Sequence, residues 1–134
     1  MSKTYNLFIS HSWSYPEAYD GLTKLLSDRP YFIYKDFSVP KDDPITSPLL
    51  YEAIKRQIAQ CHVVLVMAGV YASYGEWIDK EIKIAKTEFS RPKPIIAVEP
   101  WGSERTSRVV KDSADKIVGW NTESIISAIR GLAP

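Results

Sequence analysis

Glu81 is unusual within YASYGEWIDKEI, the stretch from Tyr71 to Ile82, because of the company it keeps. At the ~100° step of an α-helix, Ile84, Trp77, Ala85, Ile78, Phe89 and Ile82 fall on one apolar arc, and Glu81 lies inside it between Trp77 and Ala85. Lys80, Lys83, Lys86 and Asp79 fall opposite. Removing an ionised carboxylate from water is expensive unless it is hydrogen-bonded or paired. Positions i±3 and i±4 hold only Trp77, Ile78, Ile84 and Ala85, whereas Glu76 with Lys80 and Asp79 with Lys83 are spaced as surface ion pairs. The helix spends its lysines elsewhere and leaves Glu81 to the fold or to a ligand. The position equally suits a glutamate at the helix margin that reaches solvent or caps a loop amide, and periodicity does not choose between the two. Glu88 lies on the same side two turns on, near the helix end, where exposure is easy.

Other residues offer chemistry with a plain alternative beside each. His11 follows an apolar run and could meet a ligand, but a lone histidine serves as readily in a structural role. Trp13, Trp77 and Tyr71 could stack on a base, or belong to the core. Asp36, Asp42 and Asp43 sit in DFSVPKDDP, which lacks the oxygen-ligand spacing and glycine of a calcium loop, so turn chemistry accounts for them. No G-x-G-x-x-G follows a strand, and neither a P-loop nor a G-x-S-x-G nucleophile elbow is present. A phosphoacceptor receiver needs acidic residues at the strand ends, where this chain has Ser10 and His11.

The elements that must position these residues alternate. YNLFIS (Tyr5 to Ser10) reads as a buried strand. Ser14, Pro16 and Glu17 start a helix with Leu22, Leu25 and Leu26 on its stripe, closed by Pro30. YFIYK (Tyr31 to Lys35) reads as a second strand, and the loop DFSVPKDDPITS after it is long enough to suggest function. Ser47 and Pro48 open a helix carrying Leu50, Ile54 and Ile58. HVVLVMA (His62 to Ala68) is apolar without alternation, as expected of a parallel strand covered on both faces. PIIAV, the polar loop EPWGSERTSR, a short strand near KIVGW and a helix from Thr122 to Leu132 complete the order. Five β–α units predict a doubly wound α/β sheet, with ligands at the carboxyl ends of the strands where the winding reverses.

With 134 residues, 45% hydrophobic and 25% charged, the chain is expected to form one domain over 1–134. A formal net charge of +1 without long runs of one sign argues against nucleic acid or an anionic membrane as the main partner. Cys61 is the single cysteine, which excludes an internal disulfide and fits a reducing cytoplasm; no zinc spacing, signal peptide or ~20-residue apolar span is visible.

Three stretches resemble the Toll/interleukin-1 receptor (TIR) domain superfamily in order. FISHS resembles the box after the first strand, with His11 where tyrosine is usual; YKDFSVPKDDPI resembles the loop after the second, with Asp36 at the acidic position. SYGEWIDKEI matches S-x-x-x-W-x-x-x-E, with Ser73, Trp77 and Glu81 in register. The wording looks most like the compact prokaryotic TIR-like branch that includes the ThsB subunits of Thoeris anti-phage defence. That resemblance implies a flavodoxin-like three-layer αβα sandwich with a five-stranded parallel sheet. It also implies an NAD+ nucleosidase or ADP-ribose cyclase that cleaves the nicotinamide–ribose bond and releases a cyclic or modified ADP-ribose signal.

The resemblance carries catalysis onto Glu81 and puts Phe8, Ser10, His11, Trp13, Asp36, Ser73 and Trp77 around the substrate, with no metal and no cofactor, NAD+ being consumed. Partners implied are NAD+, further copies in a homo-oligomer or TIR–TIR assembly, and a downstream effector reached through the nucleotide signal. Ile78 departs from the cysteine often found after the tryptophan, and Ser12 and Trp13 replace the usual basic residues, so Lys41, Arg105 or helix-start amides would have to hold the pyrophosphate. Two other readings stay open: a non-catalytic interaction module docking through the Asp36 to Ser47 loop, and a nucleoside deoxyribosyltransferase-like enzyme.

Overall fold

A computed structural model of the chain describes residues 4–10, 16–37, 47–68, 76–99 and 108–133. Strands and helices alternate: β1 (Thr4–Ser10), α1 (Pro16–Ser27), β2 (Ile33–Asp36), α2 (Ser47–Ala59), β3 (Val63–Met67), α3 (Glu76–Thr87), β4 (Ile95–Glu99), α4 (Arg108–Ser113), β5 (Lys116–Gly119) and α5 (Thr122–Leu132). The five strands form one parallel sheet in the order β2-β1-β3-β4-β5, the flavodoxin-like winding. β3 lies at its centre, and all five of its residues are buried, the environment its unbroken apolar run anticipates.

Alternation along the strands sorts the core into two layers. Leu7 and Ile9 of β1 join Leu22 and Leu26 of α1 and Ile125, Ile126 and Ile129 of α5 on one face. Phe8 turns to the other face, among Ile54 and Ile58 of α2, Ile78, Ile82 and Ile84 of α3, and Val110 of α4. The outcome is the three-layer sandwich expected. The helices are fastened by local chemistry as well as by burial. At α5, Asn121 accepts a hydrogen bond from the Ser124 amide at 2.8 Å, an N-cap, and the Thr122 hydroxyl reaches the Leu25 carbonyl of α1. Lys93 donates to the Ala59 and Cys61 carbonyls at 3.1 and 3.0 Å, covering the C-terminus of α2 with a cation.

Two expectations need correction. The second strand begins at Ile33, not Tyr31, because Tyr31 takes a left-handed φ of 65° and Phe32 closes a turn onto the Arg29 carbonyl. β2 is an edge strand, so Tyr31 and Ile33 are exposed while Phe32 enters the core and Tyr34 packs against it. The other addition is α4, a six-residue helix directly after the stretch read as a polar loop. It is too short to show a period in sequence, and among its described residues Val110 is buried in the core. Among the described residues no helix is long and apolar enough to cross a membrane.

Candidate active site

Ser10 and Glu81 are the buried polar and charged residues among those described, and they meet. Ser10 is the last residue of β1, next to Val66 of β3 in the parallel register, so it stands between the two strands where the winding of the sheet reverses. Its side chain follows Phe8 to the α3 face by the two-residue period of the strand. α3 presents Glu81 to the same place: Ile78, Ile82, Ile84 and Ala85 anchor the helix against the sheet, while Asp79, Lys80 and Lys83 face solvent. The Ser10 hydroxyl donates to Glu81 Oε1 at 2.9 Å across 71 positions of sequence, and Oε2 is buried as well. Both residues have no exposed surface. This excludes the solvent-reaching glutamate that periodicity left open.

A hydroxyl donating to a carboxylate stabilises its ionised form, and does so most strongly where water is excluded. Ser10 and Glu81 are both shut off from solvent, and Phe8, Ile54 and Ile78 belong to the buried apolar cluster on this face of the sheet. The arrangement can therefore hold a fixed negative charge beside the strand ends. Among the described residues no three His, Cys, Asp or Glu side chains cluster as a metal would require.

The remaining expected site residues divide. Asp36 ends β2 opposite Leu7, three residues before Ser10, which sets it about 10 Å back along the strand direction. It accepts a hydrogen bond from the Tyr19 hydroxyl of α1, a residue packed on the opposite layer of the core. The fold thus brings Phe8, Ser10 and Glu81 together and stations Asp36 apart from them. Trp77 lies in α3 one turn before Glu81, and its side chain falls outside the described residues. His11, Trp13, Ser73, Tyr71, Lys41 and Arg105 also lie outside them, as does most of the loop after β2.

Glu88 has a different setting at the far end of α3. It is exposed, accepts a 2.6 Å hydrogen bond from Tyr51 and pairs with Lys55 at 3.3 Å. The Tyr51 bond, then Lys55, hold its carboxyl below the usual carboxylate range, and the same bond pushes the Tyr51 phenol up. Cys61 is buried and donates to the Gln57 carbonyl; burial pushes its thiol up to about 12, against the opposing pull of Lys93.

Two solved structures share this architecture. A conserved protein of Enterococcus faecalis V583, known from its crystal structure, superposes with a TM-score of 0.67 at 8% identity, over 96% of this chain and 99% of that one. The CMP N-glycosidase BcmB of Clostridium botulinum superposes with a TM-score of 0.59 at 12% identity, over 93% and 97% of the two chains. At such identities the likeness is one of fold. No curated protein matches the chain in sequence. Residues 8–105, well over half of the chain and including both Ser10 and Glu81, match the family described as Thoeris protein ThsB, TIR-like domain. Matched over that span, and folded as a five-stranded flavodoxin-like sandwich, the chain belongs to the ThsB TIR-like domain family.

Proposed function

We propose that this chain is an NAD+-processing enzyme that cleaves the nicotinamide–ribose bond and releases a cyclic or modified ADP-ribose as a signal in anti-phage defence. The observation that carries the reading is Glu81, buried in an apolar layer at the switch point and hydrogen-bonded by Ser10. Ordinary glycosidases use two carboxylates, one of them an acid that protonates a poor leaving group. Nicotinamide needs no such acid. The C–N bond breaks with its electron pair passing to the pyridinium nitrogen, which leaves as a neutral base. What the protein must supply is stabilisation of an oxocarbenium-like ribose, and a fixed, desolvated carboxylate does this. Water attacking C1 of the ribose, with loss of its proton, gives ADP-ribose; a hydroxyl or adenine nitrogen of the same molecule gives a cyclic product.

Because Glu81 and Ser10 are sealed from solvent in this state, substrate reaches the carboxylate only when the site opens. The product then acts on a downstream effector. A second substrate class has its own support, since the fold is shared with an enzyme described as a CMP N-glycosidase. The N-glycosyl bond of such a nucleotide meets the ribose at the same carbon, but cytosine departs from an uncharged ring and needs a proton as it leaves, so that reaction requires an acid besides the Glu81 carboxylate.

Incubation with NAD+ or CMP across a protein concentration series, followed by chromatography and mass spectrometry, tests the proposal with wild type beside Glu81→Gln. Nicotinamide and an ADP-ribose product from wild type alone support it. Equal turnover by Glu81→Gln refutes the role of Glu81, cytosine release from CMP in place of nicotinamide from NAD+ reassigns the substrate, and no turnover at any concentration leaves an interaction module.

A further inference from the structure

We propose that Ser10 is a positioning residue for Glu81 and not a contact to substrate: its hydroxyl aims one carboxylate oxygen and keeps the group ionised within an apolar layer. The inference rests on the functional reading above for its kinetic part and on geometry for the rest. A serine hydroxyl has a single proton to donate, and in Ser10 that proton goes to Glu81 Oε1 at 2.9 Å. The Ser10 backbone is held on both sides, since β1 pairs with β2 and with β3, so the donor is fixed by the sheet while its acceptor rides on α3. A carboxylate tethered in this way keeps its direction when the helix shifts, and displacements of about 1 Å cost on the order of 100-fold in rate.

Among the described residues, Ser10 is the buried polar side chain bonded to Glu81. The buried cluster on the α3 side of the sheet is apolar among the described residues, with Phe8 from β1, Val66 from β3, Ala97 from β4, Ile54 from α2 and Val110 from α4. Titratable groups on those elements lie at the margins of the layer. Tyr51 and Lys55 of α2 engage Glu88, Lys86 of α3 engages Asp115, and Cys61 after α2 keeps its proton up to about pH 12. On α3 itself, Asp79 and Lys83 point to solvent.

The first test needs no turnover. Carbon-13 NMR of glutamate-labelled protein follows the Glu81 carboxyl through a pH titration, with Glu81→Gln locating its resonance. In Ser10→Ala the titration moves upward by about one pH unit or more, because a donor to the charged form is gone. Ser10→Cys, with a weaker donor of similar size, falls between and carries the test should Ser10→Ala fold poorly. Equal titration in all three overturns the proposal. With active enzyme, Ser10→Ala lowers kcat by about 10- to 100-fold while KM for NAD+ stays within about twofold, and the acid limb of the pH profile moves with the titration. A raised KM at unchanged kcat would show a substrate contact and overturn it. If wild type consumes no NAD+, the functional reading fails, and the titration still decides the part of Ser10.

Discussion

Replacing both members of the buried pair, in the double variant Ser10→Ala/Glu81→Met, separates a pair retained for function from one that holds the fold. Both residues have no exposed surface, and the 2.9 Å bond between them lies on the side of the sheet where the described buried side chains form an apolar cluster. The double variant loses one charge-assisted hydrogen bond, whose net contribution is about 1.5–3 kcal/mol. It is also relieved of a carboxylate whose desolvation opposes folding by several kcal/mol. Methionine is flexible enough to fill the space of glutamate, and the oxygen removed at position 10 makes room for its extra volume. The net expectation is a gain of roughly 1–3 kcal/mol, read as a higher urea midpoint at unchanged slope and a rise in Tm of about 3–10 °C. Ser10→Ala alone goes the other way, losing about 1.5–3 kcal/mol because the carboxylate stays buried without that donor. A double variant less stable than wild type by more than about 1 kcal/mol would refute the reasoning and mark the pair as structural.

The remaining predictions concern sites away from the strand ends. Cys61 keeps its proton to about 12, so the unfolded chain deprotonates first as pH rises past the ordinary thiol range, and stability falls between about pH 9 and 12. The loss attributable to Cys61 at pH 11 is on the order of 2 kcal/mol, measured as the difference in pH slope between wild type and Cys61→Ala in urea unfolding. Glu88 titrates below its ordinary range, so its contribution is present at neutral pH and disappears as pH falls through that lowered value; Tyr51→Phe should raise the titration, followed by NMR, and its effect on stability should be greater at neutral pH than below the carboxylate range. Asn121→Ala removes the N-cap of α5 and should lower stability by about 1 kcal/mol, whereas Asn121→Ser should restore most of it, both read by thermal unfolding.

Much of the architecture is legible because it rests on patterns local to each element. HVVLVMA announces a central strand by its lack of polar residues, and the structure buries every residue of β3. The order of strands and helices restricts the winding to few arrangements, since parallel neighbours need right-handed crossovers. Local reading fails where tertiary placement overrides propensity. YFIYK has the composition of a buried strand, but it lies at the sheet edge and a left-handed Tyr31 delays its start. Six residues of α4 carry too little periodicity to be seen.

The candidate site divides in the same way. Periodicity along α3 is a property of consecutive residues, so the sequence alone determined that Glu81 shares a face with Ile78, Ile82 and Ala85. The resemblance then drew attention to Ser10, Asp36 and Glu81 as one set. Only the folded sheet decided which of them meet. The parity of β1 sends Ser10 to the α3 face, while the register of β2 places Asp36 opposite Leu7 with Tyr19 as its partner. A hydrogen bond between residues 71 positions apart leaves no trace in local spacing, because it depends on the crossover that lays α3 over the end of β1.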